Sequence, residues 1–192
     1  MLGHYASTAS GGGKIVARRM NGAAQAGADL YNFLSGVQKS TIKEAAFNLA
    51  ALANQPCEVA INIIVQALTE DGGDADKNRA SMTNALCEAL DGIDTFDPMK
   101  ITDEIILTTM ICFLTESIFH QIVMDAGKAW NKADTPSKVV NAENDLRELI
   151  KAVVDKYMAP SLSGKVNSFT RQRMLRLEKE VLVNVWAEWE TY

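Results

Sequence analysis

The chain has 192 residues, of which 47% are hydrophobic and 22% charged, and its formal net charge at pH 7 is −5. This composition is typical of one globular domain, with or without extensions. The acidic balance argues against a protein that holds nucleic acid through bulk attraction to phosphate.

Residues 1–14, MLGHYASTASGGGK, form a Gly/Ser-rich segment that we call the leader. Its composition offers little apolar surface to bury, so we expect it to be flexible. We assign residues 15–160 to a helical bundle, and residues 161–192 to a loop and a C-terminal helix that packs on the bundle or on a partner. The leader lacks the apolar core of a secretory signal, which favours a cytoplasmic protein.

Apolar residues recur at helical spacing throughout the body, and the four prolines fall near the expected helix ends. The fold class predicted from this pattern is all-α, a multi-helix bundle of six or seven helices. The expected helices begin with 15–37, then a short helix capped by Ser40 or Thr41, and a third opened by Pro56 with Val59, Ile63 and Ala67 inward. Further helices are expected at 74–91, at 100–127 as a buried central helix rather than a membrane span, from Pro136 to the loop at 160–168, and at 169–189.

Few residues in the sequence indicate a catalytic, metal or cofactor site. The two histidines, His4 and His120, are isolated, and no metal-binding motif accompanies them, so we expect no metal, cofactor or catalytic residue. The GGGK at 11–14 lacks the strand and the hydroxyl residue of a phosphate loop. The three cysteines, Cys57, Cys87 and Cys112, are far apart and predict buried free thiols.

Three segments remain as candidate sites. The sequence EDGGDADKNRAS at 70–81 predicts a helix–helix corner rather than a calcium loop, with Asp74 as cap, Arg79 paired to a carboxylate or carbonyl, and Gly72 and Gly73 at positive φ. Next to the leader lies a short basic cluster, Lys14, Arg18 and Arg19. Trp186 and Trp189 share a helical face and either pack inside the fold or bind a partner.

The order of these segments resembles the QatB-like family, the B component of Qat antiphage operons. The similarity covers roughly residues 10–155 and is sharpest at Arg19, Gly22, Ala26, Gly27, Leu30, Phe33, Leu49, Leu52 and Pro56, and at the corner residues Asp71, Gly72, Gly73, Asp76 and Arg79. Lys77 stands where the family usually has an acidic residue, and the chain begins Met1-Leu2-Gly3 where the family usually begins Met-Gly. The helix at 169–192 has no recognisable counterpart.

The resemblance implies a non-enzymatic component of a bacterial defence system. It also implies operon partners: most directly a QueC-like enzyme, and an ATPase and a TatD-like nuclease; neither a membrane nor nucleic acid is expected as a direct partner. QueC-type enzymes adenylate the carboxylate of a deazaguanine, which ammonia then attacks, and an N-terminal α-amine with a pKa near 8 could replace ammonia. The leader presented for this reaction would include Gly3, His4, Tyr5, Gly11, Gly12 and Gly13. The alternative is a helical adaptor that binds its partners through the body, with an inert leader.

Overall fold

The computed structural model describes residues 6, 10–36, 40–42, 45–47, 49–70, 72–127 and 136–191, with the backbone alone at 40–42, 45–47 and 136–138. These residues form an all-α bundle, as the sequence predicts. Seven α-helices lie within the described ranges: α1 Gly13–Arg19, α2 Asn21–Ser35, α3 Cys57–Leu68, α4 Ala75–Ala89, α5 Asp103–Ala126, α6 Pro136–Leu162 and α7 Arg171–Trp189. Short 3-10 turns occupy Leu49–Leu52, Pro98–Lys100 and Val166–Ser168.

Helix α5 is the centre of the bundle and packs against α2, α4 and α6. Apolar side chains occur on all of its faces among some polar ones, and Thr102 caps its first turn by accepting a hydrogen bond from the Ile105 N–H at 3.3 Å. By length and composition α5 could cross a membrane, with a mean hydropathy of 1.5 over its best window. However, 78% of that window is buried inside the fold, which is the arrangement of a core helix.

The C-terminal helix α7 packs on α1, α2 and α6 within the chain. Its apolar side chains belong to the same core cluster as those of α5. The loop that precedes α7 is fixed by Tyr31 of α2, whose hydroxyl donates hydrogen bonds to the carbonyl oxygens of Val166 and Phe169. The C-terminal segment is therefore an integral layer of the bundle.

Three boundaries differ from those expected. The first predicted helix is divided at Met20 into α1 and α2, and α2 ends at Gly36 in a left-handed conformation with φ 64°. Strands Ser40–Ile42 (β1) and Ala45–Phe47 (β2) pair as an antiparallel hairpin in place of the short helix. Helix α6 continues through Pro160 to Leu162, although proline has no N–H to donate to the carbonyl oxygen four residues earlier.

Two burial predictions are wrong. On α3 the buried residues are Cys57, Ala60, Ile61, Ile64, Val65 and Leu68, whereas Val59 and Ile63 are 40% and 36% exposed. This helix is apolar almost all round, so periodicity alone does not identify its inner face. Cys57 and Cys112 are buried as expected, but Cys87 is exposed.

Candidate functional site

The base of the leader is docked on helix α7. The indole Nε1 of Trp186 donates a hydrogen bond to Ser10 Oγ at 2.9 Å, and Ser10 Oγ donates to the carbonyl oxygen of Ala6 at 2.8 Å. Ala6 is 0% exposed and Ser10 is 3% exposed. The bond gives the buried indole N–H an acceptor, which a buried polar group requires, and it fixes the leader at Ser10.

The glycines of the leader allow positive φ angles and, at Gly13, a close approach to the backbone of α7. Gly11 and Gly12 have φ values of 80° and 84°, in the left-handed region that favours glycine. A Cβ on Gly13 would lie 2.9 Å from the Val183 carbonyl oxygen of α7, so only glycine lets the two backbones approach this closely. Gly13 is thus held against α7, while Gly3, His4 and Tyr5 lie outside the described residues.

The predicted basic cluster is split between two surfaces. Lys14 and Arg18 line an open cavity of about 630 Å³ between α1 and α7, together with Lys179 and Val183 of α7. Arg19 instead forms an ion pair with Asp125 at the end of α5. Lys14 and Arg18 are therefore the part of the cluster that faces α7 next to the leader base.

Both C-terminal indoles lie in the core. Trp186 and Trp189 are 0% exposed, and their ring centroids are 5.1 Å apart with the planes tilted by 53°. Of the two alternatives open from the sequence, the structure shows intramolecular packing for both residues. Trp186 nevertheless helps to position the leader, because its indole N–H donates a hydrogen bond to Ser10 Oγ.

The corner between α3 and α4 is built differently from the prediction. Asp71 lies outside the described residues. Neither Gly72 nor Gly73 has a positive φ, and at both positions the space that a Cβ would occupy is open to 4 Å. Asp74 precedes α4 but makes no capping hydrogen bond with its side chain.

The charged residues of the corner form local ion pairs. Asp74 pairs with Lys77 at 2.6 Å, and Asp76 pairs with Arg79 at 3.1 Å. The pairing of Arg79 with a carboxylate agrees with the expectation from the sequence. Exposed pairs of this kind contribute little to stability, so the corner is an ordinary helix connection rather than a strained turn.

The fold also contains a buried carboxyl group, on α7, that no sequence pattern indicated. Glu178 of α7 is 0% exposed, and neither of its carboxyl oxygens has a hydrogen-bond partner among the described residues. Burial raises its pKa well above the usual value; Asp29 raises it further, and Arg171 acts in the opposite direction. The carboxyl group lies against Gly27 of α2, where a Cβ would come within 2.1 Å of Oε1.

Other titratable groups are explained by the packing around them. His120 is half-buried, its Nδ1 lies 3.1 Å from Ser81 Oγ, and burial lowers its pKa. Burial raises the pKa of Cys112 to about 12, assisted by a hydrogen bond with Glu88, so this thiol is not a nucleophile at neutral pH. Within the described residues no three His, Cys, Asp or Glu side chains are grouped to hold a metal ion.

The described residues therefore show the base of the leader docked on α7 and open grooves on the surface of the bundle, which defines a helical-bundle protein. A family model described as "Qat anti-phage system associated protein QatB" matches residues 11–188. Because the match covers most of the chain, this protein belongs to the QatB family and is a component of a Qat anti-phage defence system. The match includes α7, for which the sequence alone suggested no counterpart. No curated protein and no solved structure matches the chain significantly.

Proposed function

We propose that this protein is a non-enzymatic substrate and scaffold, whose leader is presented to a QueC-like enzyme of the same defence system and modified there with a deazaguanine. The ATPase and TatD-like proteins of the operon would act with the resulting complex. The observation that carries the proposal is the fixed base of the leader: the Ser10–Trp186 hydrogen bond ties the leader to a rigid helix. The segment before Ala6 would then be offered to the partner from a defined point on the body.

The proposed reaction is an acyl transfer. The QueC-like partner uses ATP to activate the deazaguanine carboxylate as an acyl adenylate, with release of pyrophosphate, and the neutral N-terminal amine attacks the carbonyl carbon. An amide bond forms, AMP leaves with the electron pair of the broken carbon–oxygen bond, and the amine loses one proton. An α-amine has a reference pKa of about 7.7–8.0, so a useful fraction is neutral near pH 7, whereas a lysine amine at about 10.4 is almost wholly charged.

The proposal places the modified amine on Gly3 after removal of Met1 and Leu2. Glycine has no side chain, so its amine can enter a narrow active site. The test is peptide mass mapping of the protein produced with and without its QueC-like partner. We expect a deazaguanine acyl group on the N-terminal peptide only in the co-expressed sample; an adduct confined to lysine side chains would contradict the assignment.

Two variants distinguish a loss of the proposed modification from a loss of the folded structure. Deletion of residues 1–5 removes Gly3 and moves the N-terminal amine to Ala6, which is buried, but it keeps the hydrogen bonds that join Ser10 to Ala6 and to Trp186 of α7. We expect the truncated protein to fold and to lose both the adduct and defence against phage. Ser10→Ala retains the N-terminal amine and removes only the Oγ atom that holds the leader base. Full defence by the truncated protein would favour the adaptor alternative, with an inert leader.

A further inference from the structure

The basic side chains of this acidic protein fall into two groups. One group forms ion pairs with carboxylates inside the fold or along a helix: Arg19, Lys77, Arg79, Arg147, Lys151, Lys156 and Arg171. The other described Lys and Arg side chains have no carboxylate partner in the part of the chain that the structure describes. All of these except Lys100 line two neighbouring cavities on α7: Lys14, Arg18, Lys165, Arg173, Arg176 and Lys179.

The two cavities share Glu180 in their linings, and we call their combined lining the α7 face. The first, of about 380 Å³, lies between the end of α6 and the start of α7 and is lined by Lys165, Arg173 and Arg176. The second is the cavity of about 630 Å³ beside Lys14 and Arg18. Glu180 lines both cavities and is the one acidic residue among their lining residues, so the face is strongly positive in a chain of net charge −5.

The positions of the arginines disfavour a purely structural role. The first turn of α7 contains no acidic residue, and Arg171, Arg173 and Arg176 lie within its first six residues. A cation in the first turn of a helix opposes the helix dipole, and this applies to Arg171 and Arg173. Arg171 is compensated by its paired hydrogen bonds to Asp29, whereas the Arg176 guanidinium contacts only the Gln172 carbonyl oxygen, at 3.4 Å, among the described groups.

The lining of the face favours an acidic protein segment over nucleic acid. Single strands bind on exposed aromatic rings, but the one ring lining either cavity, Phe169, is 3% exposed and lies under the Arg173 guanidinium at 4.1 Å. The walls include the apolar side chains of Ala17 and Val183 in the larger cavity and of Pro160 and Leu177 in the smaller one. A polypeptide carrying both carboxylates and apolar side chains complements this combination.

We propose that the α7 face is the docking surface for an acidic, partly apolar segment of the partner that handles the leader. The identity of that partner rests on the proposed function. The geometry supports the location, because Gly13 is packed on Val183 and Val183 also lines the larger cavity. A partner that reaches the leader from its fixed base would pass directly over these cations.

The test is binding of the purified full-length protein to the purified QueC-like partner, measured by titration calorimetry. Arg176→Glu and Lys14→Glu each reverse one exposed charge, one in each cavity, and Lys100→Glu is the matched control outside the face. We expect both face variants to weaken binding at least tenfold and the control to bind like the wild type. Raising the salt from about 0.05 to about 0.3 M weakens wild-type binding, because exposed charges are screened. Circular dichroism confirms that each variant is folded, and Arg176→Gln provides a milder second change.

The outcomes distinguish the inference from the proposed function. Equal binding by the face variants and the control, or no binding by the wild type, overturns the docking surface. Saturable binding of a labelled 20-nucleotide single strand that is lost in Arg176→Glu would assign the face to nucleic acid and also overturns it. If the partner binds through the α7 face but the N-terminal peptide carries no adduct, the docking surface stands and the modification fails.

Discussion

Replacing Glu178 with Gln tests whether this buried carboxyl group is neutral in the folded protein. Glu178 has no hydrogen-bond partner among the described residues and is fully enclosed, so burial keeps it protonated at pH values where an unfolded glutamate is ionised. Gln has nearly the same shape and cannot ionise. The variant therefore removes the cost of protonating the group on folding and leaves the packing against Gly27 nearly unchanged.

The expected effect is a change in pH dependence rather than a single stability difference. A carboxyl group whose folded pKa is raised binds more protons in the folded state, so its contribution to stability is fully present below the unfolded pKa of about 4.3. That contribution is lost as the pH rises towards the folded pKa. In this window the wild type loses about 1.4 kcal/mol of unfolding free energy per pH unit relative to Glu178→Gln.

Urea unfolding of both proteins at several pH values between about 5 and 7.5 measures this slope. The difference between the two curves isolates Glu178 from every other titrating group, because all of those groups are present in both proteins. A constant offset, from the hydrogen-bonding needs of the Gln amide, leaves the slope unaffected. Parallel stability curves would show that Glu178 is ionised and paired in the folded protein, and would refute the reasoning.

Three further predictions concern the leader base and the corner. Gly13→Ala places a Cβ 2.9 Å from the Val183 carbonyl oxygen, so we expect a loss of roughly 1–3 kcal/mol in denaturant unfolding; wild-type stability would show that this close approach does not occur. Ser10→Ala leaves the buried Trp186 N–H without its acceptor, and we expect a loss of about 1–3 kcal/mol and a shift in tryptophan fluorescence; an unchanged emission spectrum would contradict the contact. Gly73→Ala meets open space at ordinary φ, so we expect a change within about 0.5 kcal/mol, and a larger loss would restore the strained-turn interpretation.

The elements that the sequence predicts well are those with strong local signals. The long apolar block gives α5, and Pro136 and Pro56 lie at or next to the starts of α6 and α3, because a proline is tolerated at a first turn. The division at Met20 lies just before Asn21 and Gly22, a dipeptide typical of turns, but the periodicity of the apolar residues alone does not detect it. The β1–β2 hairpin depends on strand pairing, which a helical periodicity search does not detect.

The candidate site was harder to predict because its contacts join distant parts of the chain. Ser10 and Trp186 are far apart in sequence, and nothing local to either residue identifies the other as its partner. Glu178 stands in a charged stretch of α7 that is typical of an exposed face, and its burial becomes apparent only when α2 brings Gly27 against it. The one local signal that could have identified the α7 face is RQRMLR at 171–176, an arginine-rich sequence at a helix start without compensating acids.

The leader base and α7 form a single structural unit, and this changes how the leader should be understood. The glycines at 11–13 have the composition of a linker, yet Gly13 is packed on Val183 and Gly12 begins α1 at positive φ. A flexible tether would allow the N-terminus to sample a wide volume, whereas a base fixed at Ser10 by Trp186 would limit that volume to the reach of the residues before it. Restricting the volume raises the effective concentration of the N-terminal amine near a partner bound at the α7 face. The same helix would then both hold the leader and receive the enzyme, so the geometry of the body would determine which amine reacts.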